Sequence, residues 1–242
     1  RLVELLGHPS PIVQTPALRT VGNIVTGDDL QTQIVINCGA LPCLLRLLNS
    51  HKKSIRKEAC WTLSNITAGS AEQVAAVEGA GIMPQLINMM IIEEYEIKKE
   101  AVYAICNACC SGGDEDVCTL ARIGATAPLC DLLTIDEPSL IIVCLEGIEA
   151  LLQVGERVHG AALNLHARLV DDVGGCEQIE ALQLHENATI YQVQPAFLVA
   201  PYAFPPHVSR SFSPSPSASL PSRKPRDCSS SSLRTRRKRM RS

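Results

Sequence analysis

The sequence predicts an all-α solenoid in which similar helical units recur at one constant interval. The segment Ala17-Leu-Arg-Thr-Val-Gly-Asn-Ile-Val-Thr-Gly27 returns as Ala59-Cys-Trp-Thr-Leu-Ser-Asn-Ile-Thr-Ala-Gly69, and more weakly as Ala101-Val-Tyr-Ala-Ile-Cys-Asn-Ala-Cys-Cys-Ser111. A period of about 40 to 47 residues, which includes this interval, is typical of arrays of stacked helical repeats. Only 3% of the residues are aromatic, and aliphatic residues recur at helical spacing, which suits packed helices better than a sheet sandwich.

Each unit is predicted to open with a short helix that follows a Gly-rich break. The first break is Thr26-Gly-Asp-Asp29 and the second is Ala68-Gly-Ser70. Asp28 or Asp29 and then Ser70 can cap the following helix, because their side-chain oxygens accept hydrogen bonds from its first N–H groups. We expect these short helices at residues 30–37, 71–78 and 115–123.

A second and a third helix complete each unit. A glycine followed by a proline indicates the start of the second helix in each unit. The glycines are Gly39, Gly81 and Gly124, and the prolines are Pro42, Pro84 and Pro128. Proline is tolerated in a first helical turn because its missing N–H would be unpaired there. We expect second helices at 42–48, 84–90 and 128–133, and long third helices at 54–67, 96–109 and 140–154. Three helices per unit favour a right-handed armadillo-repeat solenoid over two-helix HEAT units.

The predicted domain boundaries follow from these capping and turn residues. A partial unit covers 1–27, full units cover 28–69, 70–112 and 113–155, and a partial unit covers 156–191. The insertion 158–166 is expected to loosen the first helix of that last unit. Residues 192–242 contain eight Pro and twelve Ser and are expected to form a disordered tail. Because the chain begins without Met and in a helical pattern, we expect a fragment of a longer protein.

Charge separates the body of the chain from the tail. The net charge is −3, but residues 192–242 hold ten Lys or Arg and one Asp, so residues 1–191 hold 22 − 10 = 12 basic and 25 − 1 = 24 acidic residues. An acidic body repels phosphate backbones and attracts basic partners. The balance argues against direct nucleic acid binding and for a basic peptide ligand. No stretch of about 18 uncharged apolar residues predicts a membrane span.

The cysteines and histidines predict neither a cofactor nor catalysis. Most of the eleven cysteines lie in apolar helical stretches and are expected to be reduced and buried, among them Cys60, Cys106, Cys130 and Cys144. Cys106 and Cys109 form one C-x-x-C pair, but no second pair follows at zinc-site spacing, so no metal site is predicted. The histidines are scattered, with no nucleophile and base at readable spacing, so we expect no enzyme.

Three positions of the repeat carry the predicted binding residues. Arg19, Trp61 and Tyr103 share one position; Asn23, Asn65 and Asn107 share another four residues later; Glu58 and Glu100 share a third. Residues four apart lie on one helix face, so the rings and amides should form two adjacent rows. A ring face can hold Lys or Arg, an amide can hold an extended peptide backbone, and Glu can pair with a ligand cation. We expect these side chains to line a groove and not to fill the core.

Several strings resemble the importin α (karyopherin α) family. They are Val21-Gly-Asn-Ile-Val-Thr-Gly27, Trp61-Thr-Leu-Ser-Asn-Ile-Thr-Ala-Gly69, Lys99-Glu-Ala-Val-Tyr103 and Ile179-Glu-Ala-Leu-Gln-Leu-His-Glu-Asn187. The resemblance covers residues 1–191 and corresponds to the C-terminal armadillo repeats of the family. It implies a nuclear import adaptor that binds Lys/Arg-rich nuclear localisation signals (NLS) in extended form. Tyr103 stands where the family has Trp.

The resemblance also implies a site and partners. Trp61, Asn65, Glu100, Tyr103 and Asn107 would belong to the minor NLS site, and Arg19 with Asn23 would continue the groove on the preceding repeat. The partners implied are NLS-bearing cargo, importin β through an N-terminal segment that this chain lacks, and an export receptor at the last repeats. The implied location is the cytoplasm and the nucleus. An armadillo scaffold of another type, binding tails other than NLS peptides, is the alternative.

Overall fold

The computed structural model describes residues 1–187 and Ile190, and within this range the chain forms helices and no strands. The predicted disordered tail, 192–242, lies outside the described residues, as does Tyr191 at the end of the last predicted unit. Two helices come first, α1 (Leu2–Leu5) and α2 (Pro11–Val25). Triplets of helices follow, so the armadillo-repeat solenoid predicted from the sequence is confirmed.

The helix bounds repeat from one triplet to the next. The first triplet is α3 (Asp29–Asn37), α4 (Ala40–Leu48) and α5 (Lys53–Thr67). The second is α6 (Ala71–Gly79), α7 (Met83–Ile92) and α8 (Tyr95–Ser111). The third is α9 (Asp114–Arg122), α10 (Thr126–Asp131) with a 3₁₀ turn (Leu132–Thr134), and α11 (Pro138–His159). After a 3₁₀ turn (Ala161–Leu163) come α12 (Leu165–Asp172), α13 (Gly175–Ala181) and a last 3₁₀ turn (Leu182–Leu184).

Capping boxes fix the starts of the short helices. The Asp28 carboxylate accepts a hydrogen bond from the Gln31 N–H at 2.8 Å, and the Gln31 side chain accepts one from the Asp28 N–H at 3.2 Å. Ser70 and Gln73 form the equivalent box one repeat later. The Gln73 amide also donates to the Asp29 carbonyl at 2.8 Å, so this cap ties α6 to the preceding repeat.

A glycine with positive φ stands just before the second helix of each triplet and just before α13. These glycines are Gly39 (φ 80°), Gly81 (69°), Gly124 (91°) and Gly174 (73°). Side chains disfavour this left-handed conformation, which explains why the turn uses glycine. The interval from Gly124 to Gly174 is longer than either of the two intervals before it, so the extra length of the chain lies between these two glycines.

The insertion does not act as predicted. We expected residues 158–166 to loosen a first helix, but most of the extra length prolongs α11, which has 22 residues where α5 has 15 and α8 has 17. The first helix, α12, starts at Leu165, within the last two residues of the insertion. Its N-cap is the buried Asn164, whose side chain accepts hydrogen bonds from the His166 and Ala167 N–H groups and donates to the Leu152 carbonyl at 2.9 Å. A capped start explains why this helix forms.

The long third helices stack side by side and carry the core. α5 packs against α2 on one side and α8 on the other, and α8 packs in turn against α11. Aliphatic side chains such as Leu18, Leu63, Ile105 and Leu151 are fully buried along this stack. The cysteines predicted to be buried, Cys60, Cys106, Cys130 and Cys144, are buried.

One described helix, α11, is long and apolar enough to cross a membrane, with a mean hydropathy of 1.5 in its best window. The pairs α6–α7 and α9–α10 would also pass by composition if each counted as one span, but each pair bends by 82°. In the solenoid, 67% of the α11 window is buried against other helices, including α8, α9 and α12. Most of the α11 window is therefore already covered by protein.

Candidate functional site

Three neighbouring third helices carry the predicted site residues. Arg19 and Asn23 lie on α2; Glu58, Trp61 and Asn65 on α5; and Glu100, Tyr103 and Asn107 on α8. The three helices start at Pro11, Lys53 and Tyr95, which are equally spaced, so residues one repeat apart occupy the same place on successive helices. Because α5 packs between α2 and α8, the structure brings the predicted rows onto one continuous set of helices. We call the surface of α2, α5 and α8 that carries these residues the H3 face, after the third helix of each repeat.

The Trp61 ring lies against a glycine of the preceding helix. A Cβ atom added at Gly22 would stand 2.4 Å from Cζ3 of Trp61 and 2.9 Å from Oγ1 of Thr62. Such distances are far below van der Waals contact, so only glycine lets α2 approach the ring this closely. Trp61 itself is half-buried and keeps part of its surface open to solvent. Sequence reasoning missed Gly22, although it lies inside the first quoted repeat string.

Arg19 takes the place of the aromatic residue in the first row and forms an ion pair across the helix junction. Its guanidinium donates to a carboxylate oxygen of Glu58 on α5. The hydrogen bond to Glu58 raises the pKa of the Arg19 guanidinium above its ordinary value. The Arg19 side chain is 64% exposed and that of Glu58 only 16%. A carboxylate at this position can therefore hold a cation that comes from outside its own helix.

Glu100 occupies the same position on α8 that Glu58 occupies on α5. Since Glu58 meets residue 19 of the preceding helix, the register predicts that Glu100 faces residue 61 of its own preceding helix, which is Trp61. Glu100 is buried, with 8% of its surface exposed. By this register the second junction would combine a carboxylate with an aromatic ring, where the first combines a carboxylate with a guanidinium.

The asparagine row is graded from exposed to buried. Asn23 is exposed, and no hydrogen bond of its side chain is seen within the described residues. Asn65 is buried and donates to the Trp61 carbonyl of its own helix at 2.9 Å. Asn107 is buried and donates to the Ser64 carbonyl of α5 at 2.8 Å.

The expectation that the groove side chains stay out of the core is therefore wrong in part. Asn65, Glu100, Tyr103 and Asn107 are all buried, because their helices are sandwiched between neighbours. Tyr103 keeps only 9% of its surface exposed, and burial is the main reason that the pKa of its hydroxyl is raised. These residues contribute to packing as well as to the H3 face.

Ion pairs flank the site and neutralise the lysines near it. Lys57 pairs with Glu96, and Lys99 lies 3.9 Å from a carboxylate oxygen of Glu137 and over the Tyr95 ring at 5.8 Å. Lys57 and Lys99 are themselves equivalent positions of successive repeats. Because each lysine has an acidic neighbour on the next repeat, the lysines do not leave the face with a net positive charge.

The register of binding residues ends at α11. When α11 is aligned with α8 at their first residues, Pro138 and Tyr95, Glu146 and Ala150 stand where Tyr103 and Asn107 stand on α8. Neither the ring nor the amide is present there. Within the described part of the chain, the two rows therefore run across α2, α5 and α8.

Comparisons with known proteins agree with this architecture. The family model described as Armadillo/beta-catenin-like repeat matches residues 28–68. Importin subunit alpha-1b of Oryza sativa subsp. japonica is 54% identical over 196 residues, and importin subunit alpha-7 of Arabidopsis thaliana is 56% identical over 204 residues. Importin subunit alpha-B of Dictyostelium discoideum is 50% identical over 193 residues. Each match covers 79% of this chain but only 37 to 39% of the relative.

Solved armadillo structures are similar too. A designed armadillo-repeat protein solved in complex with the peptide (KR)4 has a TM-score of 0.62 and 25% identity, covering 88% of this chain and 98% of that one. An engineered protein gives a TM-score of 0.76 at 25% identity, covering 87% and 49%. The resemblance to importin α predicted from the sequence is confirmed, and the chain spans less than two-fifths of the length of those three relatives.

Proposed function

We propose that this chain, whose repeats resemble those of importin α, forms part of a nuclear import adaptor that binds Lys/Arg-rich localisation signals as extended peptides. The ligand would lie along the H3 face, across α2, α5 and α8. The observation that carries the proposal is the Arg19–Glu58 ion pair, in which an acidic residue of one helix holds a guanidinium beside the preceding helix. At the next junction a cation of the ligand would contact the equivalent carboxylate, Glu100.

The cation site of the ligand combines a ring and a carboxylate. Trp61 offers an aromatic face on which the stem and charge of Lys or Arg can rest, and Glu100 supplies a carboxylate at the position equivalent to Glu58. Cation–π contact contributes roughly 0.5–2 kcal/mol, depending on how far the pair is desolvated. Gly22 supports the geometry because it lets the ring lie directly on α2.

The backbone of the ligand would be held by side-chain amides. Asn23 is exposed, so its amide can both donate to and accept from an extended peptide. Asn65 uses one N–H on the Trp61 carbonyl, and its amide has a second N–H and an oxygen. Amides spaced one repeat apart suit a ligand whose backbone runs along the stack and not across it.

Charge and comparison support a basic ligand. The acidic excess of residues 1–191 attracts cationic peptides from beyond contact distance. The designed armadillo protein with 25% identity was solved with an alternating Lys-Arg peptide, which shows that this type of solenoid can carry such a ligand. We infer the same class of ligand for this chain.

The proposal includes partners and location. Cargo proteins with NLS segments would bind the H3 face, importin β would bind through a segment outside this chain, and an export receptor would bind the last repeats. The chain would move between cytoplasm and nucleus. It would act by binding and not by catalysis.

Peptide titration with matched variants tests the proposal. The anisotropy of a fluorescent Lys/Arg-rich peptide is measured against the chain, with a peptide whose lysines are alanines as the ligand control. Trp61→Ala should weaken binding by about 1–3 kcal/mol, the range for a desolvated aromatic anchor. Tyr95→Ala is the matched control, because Tyr95 is an exposed aromatic on α8 outside the binding register. Circular dichroism confirms that both variants are folded at the temperature used.

Salt adds a second readout. Ion pairs at the ligand should weaken as salt rises, since charges are screened over roughly 8–10 Å near physiological strength. Glu100→Gln should therefore bind less tightly and lose part of the salt dependence. The proposal would be overturned if the alanine control peptide bound as tightly as the Lys/Arg-rich peptide, or if Trp61→Ala kept the affinity of the original chain. Either result would favour an armadillo scaffold that binds tails other than NLS peptides.

A further inference from the structure

A cluster of metal-binding side chains lies at the far end of the solenoid from Arg19 and Trp61. Cys118 on α9, His159 at the end of α11 and His166 on α12 each offer one ligand atom, and these atoms all lie within 4.8 Å of one another. We propose that the three residues form a binding site for a divalent transition-metal ion, with Zn²⁺ as the best-suited ion. The proposal does not depend on peptide binding at the H3 face.

Both histidines come from the part of the chain that breaks the repeat spacing. The turn glycines Gly124 and Gly174 are further apart in sequence than the corresponding glycines of the earlier repeats. His159 is the last residue of the prolonged α11, and Gly160 with φ 78° then turns the chain back. His166 is the second residue of α12, held in place by the Asn164 cap. The insertion thus folds so that both imidazoles face one cysteine of α9.

The hydrogen bonds of His166 prepare it as a ligand. Its Nδ1 lies 2.7 Å from the Leu151 carbonyl oxygen. A carbonyl can only accept, so Nδ1 carries the proton and Nε2 is left with its lone pair. An imidazole that donates one N–H to a carbonyl and binds metal through the other nitrogen is a recurrent arrangement at metal sites. Burial lowers the pKa of His166, which favours the neutral form that can bind metal.

The rings and the thiol can converge on one ion with small movements. The His159 and His166 rings stand edge to face, with centroids 5.7 Å apart and an interplanar angle of 77°. Zn–N bonds of about 2.0–2.1 Å and Zn–S bonds of about 2.3 Å in a tetrahedron put the ligand atoms roughly 3.3–3.6 Å apart. Closing from 4.8 Å is within the reach of side-chain rotation at Cys118 and His159, which are only half-buried.

The donor set selects the class of metal. One thiolate with two imidazoles suits Zn²⁺ and similar borderline ions, whereas Mg²⁺ and Ca²⁺ require oxygen ligands. Three protein ligands leave a fourth tetrahedral position for water. Burial, together with Asp114 and Glu115, raises the pKa of the Cys118 thiol. Binding would then replace the S–H bond with a metal–sulfur bond and release one proton to solvent.

A bound ion would join three elements of the last repeats. α9 belongs to the third triplet, α11 closes that triplet, and α12 begins the following pair of helices. An ion bound only by the folded state stabilises that state according to its concentration and affinity. The unfolding temperature of the chain should therefore rise when Zn²⁺ is added.

Cobalt substitution tests the site directly. The full chain, kept reduced with a phosphine, is titrated with Co²⁺ at neutral pH. One equivalent should produce visible d–d bands and a thiolate-to-cobalt charge-transfer band, and Zn²⁺ should abolish both. Cys118→Ser should remove the charge-transfer band and weaken binding at least about 10-fold, the lower end of the effect known for even outer-shell partners. His159→Ala should weaken binding to a similar extent and keeps the buried residues intact.

Two controls separate this site from the other thiols and imidazoles. Cys43→Ser changes a half-buried cysteine of α4, and His8→Ala changes a histidine near α2; neither should alter the spectra. Unchanged cobalt spectra in both Cys118→Ser and His159→Ala would overturn the proposal. So would a wild-type chain that gives no charge-transfer band at one equivalent of Co²⁺, or one whose unfolding temperature is the same with and without Zn²⁺.

Discussion

The asparagine row gives a prediction that separates packing from ligand binding. Asn107, Asn65 and Asn23 share one repeat position but have different partners in the folded chain. Asn107→Ala should destabilise the solenoid, Asn65→Ala should have little effect, and Asn23→Ala should have none or a slight stabilising effect. The ordering follows from the hydrogen bonds, because only Asn107 donates to a neighbouring third helix.

The magnitude can be worked from the acceptor. A buried hydrogen bond contributes about 1 kcal/mol net, and an acceptor left unpaired would add about 1–3 kcal/mol. The Ser64 carbonyl also accepts from the Ala68 N–H at 3.2 Å and from the Thr67 hydroxyl at 3.3 Å, so it would not be left unpaired. Loss of packing adds to the cost and the helix propensity of alanine offsets up to about 0.7 kcal/mol. We expect about 1–2 kcal/mol for Asn107→Ala and within about 0.5 kcal/mol of zero for Asn65→Ala.

Urea unfolding followed by circular dichroism measures these differences. The midpoint should fall for Asn107→Ala while the slope stays constant, since the surface exposed on unfolding is unchanged. For a chain of this size the unfolding temperature should fall by roughly 2–8 °C. Equal midpoints for Asn107→Ala and Asn65→Ala would refute the assignment of the Asn107 amide as a link between α8 and α5. A changed slope would instead indicate that single repeats unfold separately.

Three further predictions concern packing, charge and thiol reactivity. Gly22→Ala should lower the free energy of unfolding by about 1–3 kcal/mol and shift the fluorescence of the chain's one tryptophan, because the new methyl group would clash with its ring. An unchanged spectrum and an unchanged stability would contradict the close contact between Gly22 and Trp61. Glu93→Ala should lower the free energy of unfolding by about 1–3 kcal/mol, because Arg56, with 16% of its side chain exposed, would lose its two carboxylate contacts at 2.6 and 3.0 Å. Lys53→Ala breaks an ion pair whose lysine side chain is 63% exposed, so the same denaturation assay should show a loss of less than about 1 kcal/mol. Iodoacetamide should modify the exposed Cys38 in the native chain but reach Cys60 only on unfolding, since burial raises the pKa of Cys60 to about 12; mass spectrometry that finds both labelled at equal rates would contradict this.

Much of the fold follows from the sequence because capping and turn residues mark the helix ends in each repeat. Caps, turn glycines and the aliphatic period predicted the starts of α3, α6 and α9 to within one residue of those observed. The third helices were also placed well, because their strings repeat. The extent of α11 was not predicted, since the insertion that prolongs it has no counterpart in the earlier repeats.

The site was only partly predictable. Spacing identified which residues share a position, and Arg19 with Glu58 forms a contact between two such positions. Spacing could not show that Asn107 donates to α5, because that depends on how closely two helices approach. Residue spacing also could not reveal the cluster of Cys118, His159 and His166, because Cys118 is far from the two histidines in sequence and all three meet only after the chain turns at Gly160. The signal available was the presence of two histidines in the stretch that departs from the repeat.

Three ion pairs that cross repeat junctions point the same way. In Arg19–Glu58, Lys57–Glu96 and Lys99–Glu137, the basic residue belongs to the earlier repeat and the acidic residue to the later one. At these junctions the earlier repeat supplies the base and the later repeat supplies the acid. A repeat stacked in the reverse direction would place equal charges opposite each other there, which is unfavourable. The pairing therefore gives the stack a chemical polarity that opposes reversed stacking of a repeat.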